Sequence, residues 1–271
     1  MSLLSSVEWE IRIARGAVST RCRTAAVTRR GLRRTVREQR SDYASADGQG
    51  MPAWQGALDV LAAQLPEASA GRSRAYVVLP DSLVRYAVIP CVDALANAAE
   101  EAVFLQHRFS QLYDEPTAAW QIRVDRAHGS RPRLASAVDP ALIAALQALL
   151  RARGIRLCAL TPALADTVNR YRASFSEPAA WLVRHDSGVL CMARWHDWGW
   201  AAARSFCVEP GWRSQLGSLL TREECMHDVW DGARTAYVVD EPDAPAPVAS
   251  LLAPGWDLRI LAPADAGGRT P

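Results

Sequence analysis

Apolar and polar residues alternate near the start of the chain, and this alternation predicts a short antiparallel meander. Residues 7–13 carry Val, Trp or Ile at every second position between charged residues, as in a strand with one buried face. Arg15-Gly16 predicts a turn, and the alternation continues over 18–22. A third strand is predicted at 32–36, after a glycine. We therefore expect three consecutive antiparallel strands in this region.

A second meander is predicted farther along the chain. Strand patterns occur at 181–183, 189–195 and 200–206. The first two are separated by Asp186-Ser187-Gly188, whose residue types favour a tight hairpin turn. Helical and strand patterns follow each meander, so the sequence indicates one plan used twice.

The segment between the two meanders has a different order of elements. Its helices are predicted to begin after Asp93 and Asp139, because aspartate favours helix N-termini. Its strand patterns occupy 83–89, 121–124, 134–138 and 155–160. Residues 82–160 are therefore expected to form a compact ferredoxin-like block.

These patterns predict the domain organisation. Residues 1–81 together with 161–177 form a first lobe, residues 82–160 the inserted block, and residues 178–262 a second lobe. Residues 263–271 are expected to be a disordered tail. A chain of 271 residues, of which 49% are hydrophobic, is long and apolar enough for this arrangement.

Charge is uneven along the chain. The formal net charge is only +2, and all 31 lysine-or-arginine positions are arginine. Residues 1–40 hold ten arginines against three glutamates, a balance of +7, which leaves −5 for the remainder. Such a region can bind nucleic acid, acidic lipid or an acidic partner, with Arg12 and Arg15 as candidate interaction residues. The alternative that we favour is that these arginines are the outward residues of alternating strands.

The sequence lacks the patterns of several protein classes. No apolar run reaches the roughly 18 residues of a membrane-spanning helix, and no secretory signal pattern opens the chain. The six cysteines form no C-x-x-C pair, which favours a reduced, cytoplasmic protein. A P-loop, a nucleophile elbow and a dinucleotide fingerprint are absent, and so is a set of metal ligands at zinc spacing. We therefore predict no catalytic residue and no metal site.

Tryptophan is frequent in the second meander. Trp181 and Trp195 occupy inward positions of predicted strands, so we expect them in the core. Trp198 falls in a turn, where a core role is harder to satisfy. Large aromatic residues dominate interface hot spots, and Trp198 is therefore the candidate interface residue.

The order of elements resembles that of a known group of proteins. A three-strand meander followed by helix and strand, present twice, is similar to the plan of actin-like, ribonuclease H-like ATPases. The stretch 77–90 resembles the entry to an α/β insertion in the first lobe of their pilus and secretion members. The helix with His107, Phe109 and Tyr113 follows that stretch, and 220–223 resembles a later segment of the same proteins.

Over most of residues 7–261 the chain resembles the PilM-type and GspL-type cytoplasmic proteins of type IV pili and type II secretion. The resemblance implies a two-lobed α/β protein with the actin-like ATPase (ribonuclease H-like) fold. It also implies a ferredoxin-like insertion in the first lobe and a reduced second lobe.

The resemblance further implies where a nucleotide would bind. Actin-like ATPases use two Asp-x-Gly turns, whose amides hold phosphates and whose aspartate holds Mg²⁺. The first turn here is Arg15-Gly16, without an aspartate. The second turn contains Asp186 and Gly188, the candidate cofactor residues, although a hairpin turn favours the same residue types. Asp240-Glu241 replaces the family's adenosine-binding Gly-Gly, so we expect no cofactor, with ATP and Mg²⁺ as ligands only if the site is retained.

The expected function is that of a non-catalytic cytoplasmic scaffold in a type IV pilus or type II secretion inner-membrane assembly platform. Its partners would be inner-membrane proteins that offer a cytoplasmic peptide and hold the chain at the membrane, and self-association is left open. One alternative is a residual actin-like ATPase with Asp186 and Gly188 in a phosphate pocket. Another is a nucleic-acid-binding protein that uses the arginine-rich region, although that region has few aromatic residues for stacking.

Overall fold

The structure, a computed structural model, describes residues 5–28, 31–44, 52–67, 72–91, 97–113, 120–125, 131–227, 234–241 and 253–261. Its strands are β1 (Ser5–Ala14), β2 (Ala17–Thr28), β3 (Gly31–Asp42), β4 (Arg72–Leu79), β5 (Arg85–Ile89), β6 (Gln121–Val124), β7 (Arg133–Val138), β8 (Ile155–Pro162), β9 (Ala180–Asp186), β10 (Val189–His196), β11 (Gly199–Cys207), β12 (Thr235–Glu241) and β13 (Asp257–Ile260). Its helices are α1 (Gln55–Gln64), α2 (Ala98–Tyr113), α3 (Pro140–Ala152), α4 (Ala163–Tyr171) and α5 (Leu216–Met226).

The first sheet contains five strands in the order β3-β2-β1-β4-β8. β1, β2 and β3 are antiparallel, as the alternation predicts, and β4 and β8 run parallel to β1. Trp9, Ile11 and Ile13 are buried on one face of β1 because successive side chains of a strand point to opposite faces.

Helix α3 lies in the same unit as the first sheet and begins where the sequence predicts. The Asp139 carboxylate accepts a hydrogen bond from the backbone N–H of Ala141 at 2.8 Å, which confirms the predicted N-cap. The same carboxylate accepts a hydrogen bond from the indole N–H of Trp54 at 3.1 Å, which ties the start of α3 to the start of α1. Leu142, Leu146 and Leu150 form the fully buried stripe of α3.

The chain divides into two units whose boundaries differ from the predicted ones. The first unit contains Met1–Val84 and Val138–Asp166, and the second contains Arg85–Ala137 and Thr167–Pro271. The segment predicted at 161–177 therefore belongs to the first unit only as far as Asp166.

The block predicted at 82–160 is divided between these units. β5, β6 and β7 form a separate sheet of order β5-β7-β6, and α2 lies between β5 and β6 in the chain. β8 instead pairs in parallel with β4, and α3 packs on β8, so both belong to the first unit. The inserted sheet therefore comprises β5, β6 and β7 without β8, because hydrophobic periodicity predicts a strand without specifying the sheet that it joins.

The inserted sheet has a small core and a well-fixed edge. Leu105 and Phe109 of α2 are buried against β5 and β7. The Tyr113 hydroxyl accepts a hydrogen bond from the backbone N–H of Tyr86 at 3.0 Å and donates one to the Tyr86 carbonyl at 2.7 Å. One side chain thereby satisfies both backbone groups of a residue in β5, which lies beside β11 of the same unit.

The second five-stranded sheet repeats the order of the first. Its strands are arranged as β11-β10-β9-β12-β13, with β9, β10 and β11 antiparallel and β12 and β13 parallel to β9. β9 and β10 are buried along almost their whole length. Trp181 and Trp195 are buried, which confirms the predicted core positions.

Some predicted features lie outside the described residues. These are the tail at 263–271 and the N-cap Asp93. Near the start of α2, the side-chain amide oxygen Oδ1 of Asn97 accepts hydrogen bonds from the backbone N–H groups of Ala99 and Glu100, both at 3.0 Å, and so has the capping role. Among the described residues, no helix combines the length and the apolar character needed to cross a membrane.

Candidate functional site

The turn between β9 and β10 is the place where the sequence offers phosphate-loop chemistry. Ser187 and Gly188 both have positive φ angles, 49° and 79°, as in a two-residue hairpin turn of the mirror-image type. Asp186 closes the turn as the last residue of β9. The predicted turn is therefore confirmed. Whether it can bind a metal ion depends on whether the Asp186 carboxylate is already paired within the protein.

Both oxygens of the Asp186 carboxylate are hydrogen-bonded within the lobe. Arg184 donates from Nη2 to one oxygen at 3.1 Å, and the Ser187 hydroxyl donates to the other at 2.9 Å. Arg184 and Asp186 lie two residues apart on one strand, so their side chains share a face of the sheet. Their side chains are only 1% and 9% exposed, so the buried guanidinium neutralises the carboxylate that would hold Mg²⁺ in an actin-like ATPase.

His185 lies on the opposite face of β9 and connects the turn to β12. Its Nδ1 is 2.9 Å from the Asp240 carboxylate, and its Nε2 accepts a hydrogen bond from the backbone N–H of Gly188 at 3.3 Å. Because Nε2 accepts, the ring proton of the neutral imidazole is on Nδ1 and is donated to Asp240. The Gly188 amide, which a phosphate loop would direct at its ligand, is thus bonded within the turn.

Asp240 is the neighbour of His185 across the parallel pairing of β12 with β9. Arg213 donates from Nε to its second carboxylate oxygen at 2.9 Å and from Nη2 to the same oxygen. Trp212 stacks against His185 with ring centroids 4.8 Å apart, and the Arg213 guanidinium lies over the Trp212 ring. We use the name polar cluster for two groups on opposite faces of the sheet at this turn, Arg184 with Asp186 on one face and His185, Arg213 and Asp240 on the other.

The pKa of Asp240 is lowered within this cluster. Burial alone raises the pKa of a carboxyl group, but the hydrogen bonds from His185 and Arg213 and the positive charge of Arg213 outweigh that effect. The carboxylate form is therefore stabilised by folding.

Asp240→Asn is expected to lower the free energy of unfolding at pH 7 by about 1 kcal/mol, because hydrogen bonds to a charged acceptor are lost. A carboxyl group whose pKa is lowered by folding contributes stability above its ordinary pKa of 3.8 and loses it as the pH falls below that value. The difference between wild type and variant should therefore shrink between pH 4 and pH 2 in urea unfolding experiments. A difference that stays constant over this range would contradict the pairing.

In the first lobe, Tyr43 is hydrogen-bonded to the β1–β2 turn, which corresponds to the β9–β10 turn of the second sheet. The backbone N–H of Tyr43 donates to the Gly16 carbonyl at 2.8 Å, and the Tyr43 hydroxyl donates to the Ala14 carbonyl at 2.8 Å. The turn Arg15-Gly16 is therefore fixed to the end of β3 by two hydrogen bonds. With no aspartate in the turn, it offers no carboxylate for a metal ion.

The two candidate arginines have different surroundings. Arg12 donates to the buried Asp166 carboxylate at 2.7 Å and thereby ties β1 to the first turn of α4. The structure thus gives Arg12 a packing role within the first unit. Arg15 lies in the β1–β2 turn and is partly buried, and its role in an interaction remains a prediction.

Trp198 lies in the β10–β11 turn, at the opposite end of β10 from the polar cluster. Its side chain is 50% exposed, and both it and Asp197 have positive φ angles, 61° and 48°. These are the angles of a two-residue hairpin turn of the mirror-image type, a conformation that bulky residues rarely adopt. Trp198 remains the predicted interface residue.

Sequence reasoning missed the pairing in the polar cluster. The sequence marks Asp240 only as a departure from the family's Gly-Gly, whereas the structure shows its carboxylate bonded to His185 and Arg213. Arg184 and Asp186 lie two positions apart, so a strand places their side chains on the same face. This spacing could have been used to predict their ion pair from the sequence. Within the described residues, no group of three or more His, Cys, Asp or Glu side chains is arranged to hold a metal ion.

Two five-stranded sheets with one strand order, each beginning with an antiparallel meander, define the actin-like ATPase (ribonuclease H-like) fold. The fold predicted from the sequence is confirmed by solved structures. The chain is similar to the structure titled "PilM-PilN type IV pilus biogenesis complex", with a TM-score of 0.64 and 12% identity over 94% of this chain and 88% of that chain.

Two further structures show the same fold. The cytoplasmic domain of EpsL, an inner-membrane component of the type II secretion system of Vibrio cholerae, matches with a TM-score of 0.52 and 10% identity over 96% of this chain and 90% of that chain. A protein of Bacteroides thetaiotaomicron, described as having the actin-like ATPase fold and unknown function, matches with a TM-score of 0.57 and 7% identity over 94% and 90%. No family model matches the sequence, and no curated protein is similar to it in sequence.

Proposed function

We propose that the chain is a non-catalytic scaffold in the inner-membrane assembly platform of a type IV pilus or type II secretion system. The observation that carries this proposal is the state of the two carboxylates in the polar cluster. Asp186 is bonded by a buried arginine and Asp240 by a histidine and an arginine, so both are already compensated inside the lobe.

The likeness to PilM in its complex with PilN and to the cytoplasmic domain of EpsL supports the choice of system. In this proposal the chain works on the cytoplasmic side and reaches the membrane through a partner that offers a cytoplasmic peptide. A scaffold of this kind needs neither a nucleotide nor Mg²⁺, and we propose that the chain has no cofactor.

Isothermal titration of the full chain with ATP and Mg²⁺ is expected to give no binding heat, because no carboxylate of the cluster is available for the metal. The same titration in EDTA is the control. Thermal unfolding gives a second readout, since a ligand at about 100 times its dissociation constant stabilises the folded state by about 2.7 kcal/mol. Binding in the micromolar range that requires Mg²⁺ would overturn the non-catalytic proposal and favour a residual ATPase.

The choice of partner is tested separately. In a bacterial two-hybrid experiment, the full chain is expected to pair with the cytoplasmic segment of at least one inner-membrane pilus or secretion protein from the same organism. Segments of unrelated inner-membrane proteins with similar length and charge serve as controls. Pairing with none of the platform segments would contradict the proposed role.

A further inference from the structure

Strand β3 is exposed to solvent along nearly its whole length. It runs over 12 residues at the edge of the first sheet, and every residue from Gly31 to Arg40 is exposed. Within the described part of the chain, β2 is the one strand that pairs with it. A long exposed edge strand is a template for pairing with another extended chain.

The strand register shows which backbone groups of β3 remain open. Ala14 and Ala17 close the two-residue turn between β1 and β2, so they form a hydrogen-bonded pair, and hydrogen-bonded and open pairs alternate from there. Even-numbered residues of β2 therefore bond to β3, and their partners there are the odd-numbered residues. The N–H and C=O groups of Leu32, Arg34, Val36 and Glu38, which are even-numbered residues of β3, face away from β2, and no strand of the described residues pairs with them.

The side chains of this edge differ between its two faces. Leu32 and Val36, each 57% exposed, lie on one face together with the charged residues Arg34, Glu38 and Arg40, and Val27 of β2 lies opposite Leu32 with 47% exposure. Arg33 and Arg37 lie on the other face, and no carboxylate of the described residues is within ion-pair distance of either guanidinium. Glu38 is paired with Arg21 at 2.7 Å, so it does not offset these charges.

We infer that the open edge of β3 is a docking surface for an extended, acidic segment of a partner protein, which adds to the first sheet as a further strand. The inference deepens the proposed scaffold function by naming the surface and the chemistry of its partner. Backbone hydrogen bonds supply the affinity in this mode of recognition, and alternate side chains supply the specificity. The matching segment carries carboxylates beside Arg33 and Arg37 and apolar residues beside Leu32 and Val36.

A second copy of this chain is a poor occupant of the same edge. β3 carries Arg33, Arg34, Arg37 and Arg40 against two acidic residues, so pairing two copies would place like charges beside one another. Like charges on adjacent strands are destabilising. Charge complementarity therefore selects an acidic partner over self-association.

The test uses the full chain and a fluorescent ten-residue peptide of alternating valine and glutamate, which places all carboxylates on one face and all valines on the other. Fluorescence anisotropy is expected to show saturable binding that weakens as salt rises from 50 to 500 mM. Two control peptides are expected not to bind. One replaces glutamate with lysine, and the other replaces valine with proline and so lacks half of the backbone donors.

Two pairs of variants locate the surface. Arg33→Glu with Arg37→Glu is expected to weaken binding at least about tenfold, because two attractions become repulsions. Arg74→Glu with Arg156→Glu changes the net charge equally at the opposite edge of the same sheet, where the two residues pair and are exposed, and should leave binding unchanged. Val36→Pro removes an outward N–H without touching the bonds to β2 and should abolish binding, whereas Val36→Thr should retain it.

Each contrary outcome overturns the inference. Equal loss in both charge-reversed variants would indicate a non-specific charge effect. Retained binding in Val36→Pro, with circular dichroism showing an intact fold, would exclude strand addition. Tighter binding to phosphatidylglycerol vesicles or to duplex DNA than to the peptide would assign the basic edge to lipid or nucleic acid. If the chain does not bind the peptide, but does bind a platform protein and does not bind ATP, the docking surface is wrong and the scaffold proposal is retained.

Discussion

Replacing Arg184 with leucine is expected to lower the free energy of unfolding by about 3 kcal/mol or more, because removing one partner of a buried ion pair leaves an uncompensated charge. The Arg184 side chain is 1% exposed and the Asp186 side chain 9%. The remaining hydroxyl donor, Ser187, cannot replace a full positive charge. Urea denaturation followed by circular dichroism measures the loss.

A double-mutant cycle separates the pair from its surroundings. Asp186→Asn alone should also destabilise the fold, because it removes a negative charge that is paired with the buried Arg184 guanidinium. The double variant should lose less than the sum of the two single variants, with a coupling of about 1 kcal/mol or more. Arg156→Leu replaces an exposed arginine and is expected to change stability by no more than about 0.5 kcal/mol. Additive single effects would mean that Asp186 is solvated and open to a cation, which would favour the residual ATPase.

Local patterns were sufficient to predict the two meanders. Alternation over β1 predicts its buried face, and the residue types at 186–188 predict the hairpin turn, because both depend on neighbours in the sequence. The N-cap Asp139 is a local signal of the same kind. The repeat of this plan, together with the resemblance, was enough to predict the actin-like fold that the solved structures confirm.

Features that depend on distant partners were not predicted. β8 has the same strand pattern as β7, yet the two join different sheets, since the pattern records burial and not the neighbouring strand. The polar cluster depends on the register that places Asp240 beside His185, which are 55 positions apart. No short-range signal contains that register.

The length of β3 illustrates a third limit. The pattern predicts a strand at 32–36, whereas the structure extends it from Gly31 to Asp42. Hydrophobic alternation arises from burial on one face, and a strand with both faces in solvent has no reason to show it. Its position at the edge of the sheet is a separate matter, since it depends on the strand order and not on the burial of its faces.

Phe109→Ala is expected to unfold the inserted sheet while the rest of the chain stays folded. Phe109 is 0% exposed and packs against the rings of Tyr113 and Trp120, with centroids 6.1 and 6.4 Å away. Removing a buried phenylalanine costs about 3–5 kcal/mol. Of the other five buried residues in this core, three are alanines, at positions 87, 135 and 137, so Phe109 is the largest of its buried side chains.

Hydrogen exchange resolves where the chain opens. In Phe109→Ala, amides of β5, α2 and β7 should lose protection, whereas those of β1, β4 and β9 should keep it, because a sheet with its own core can open as a separate unit. Val103→Ala changes an exposed residue of the same helix, 67% exposed, and should leave every protected amide as in wild type. Loss of protection throughout the chain would instead mean that the inserted sheet and both five-stranded sheets unfold cooperatively. The sheet of β5, β7 and β6 would then be a feature of the topology and not a separate unit of stability.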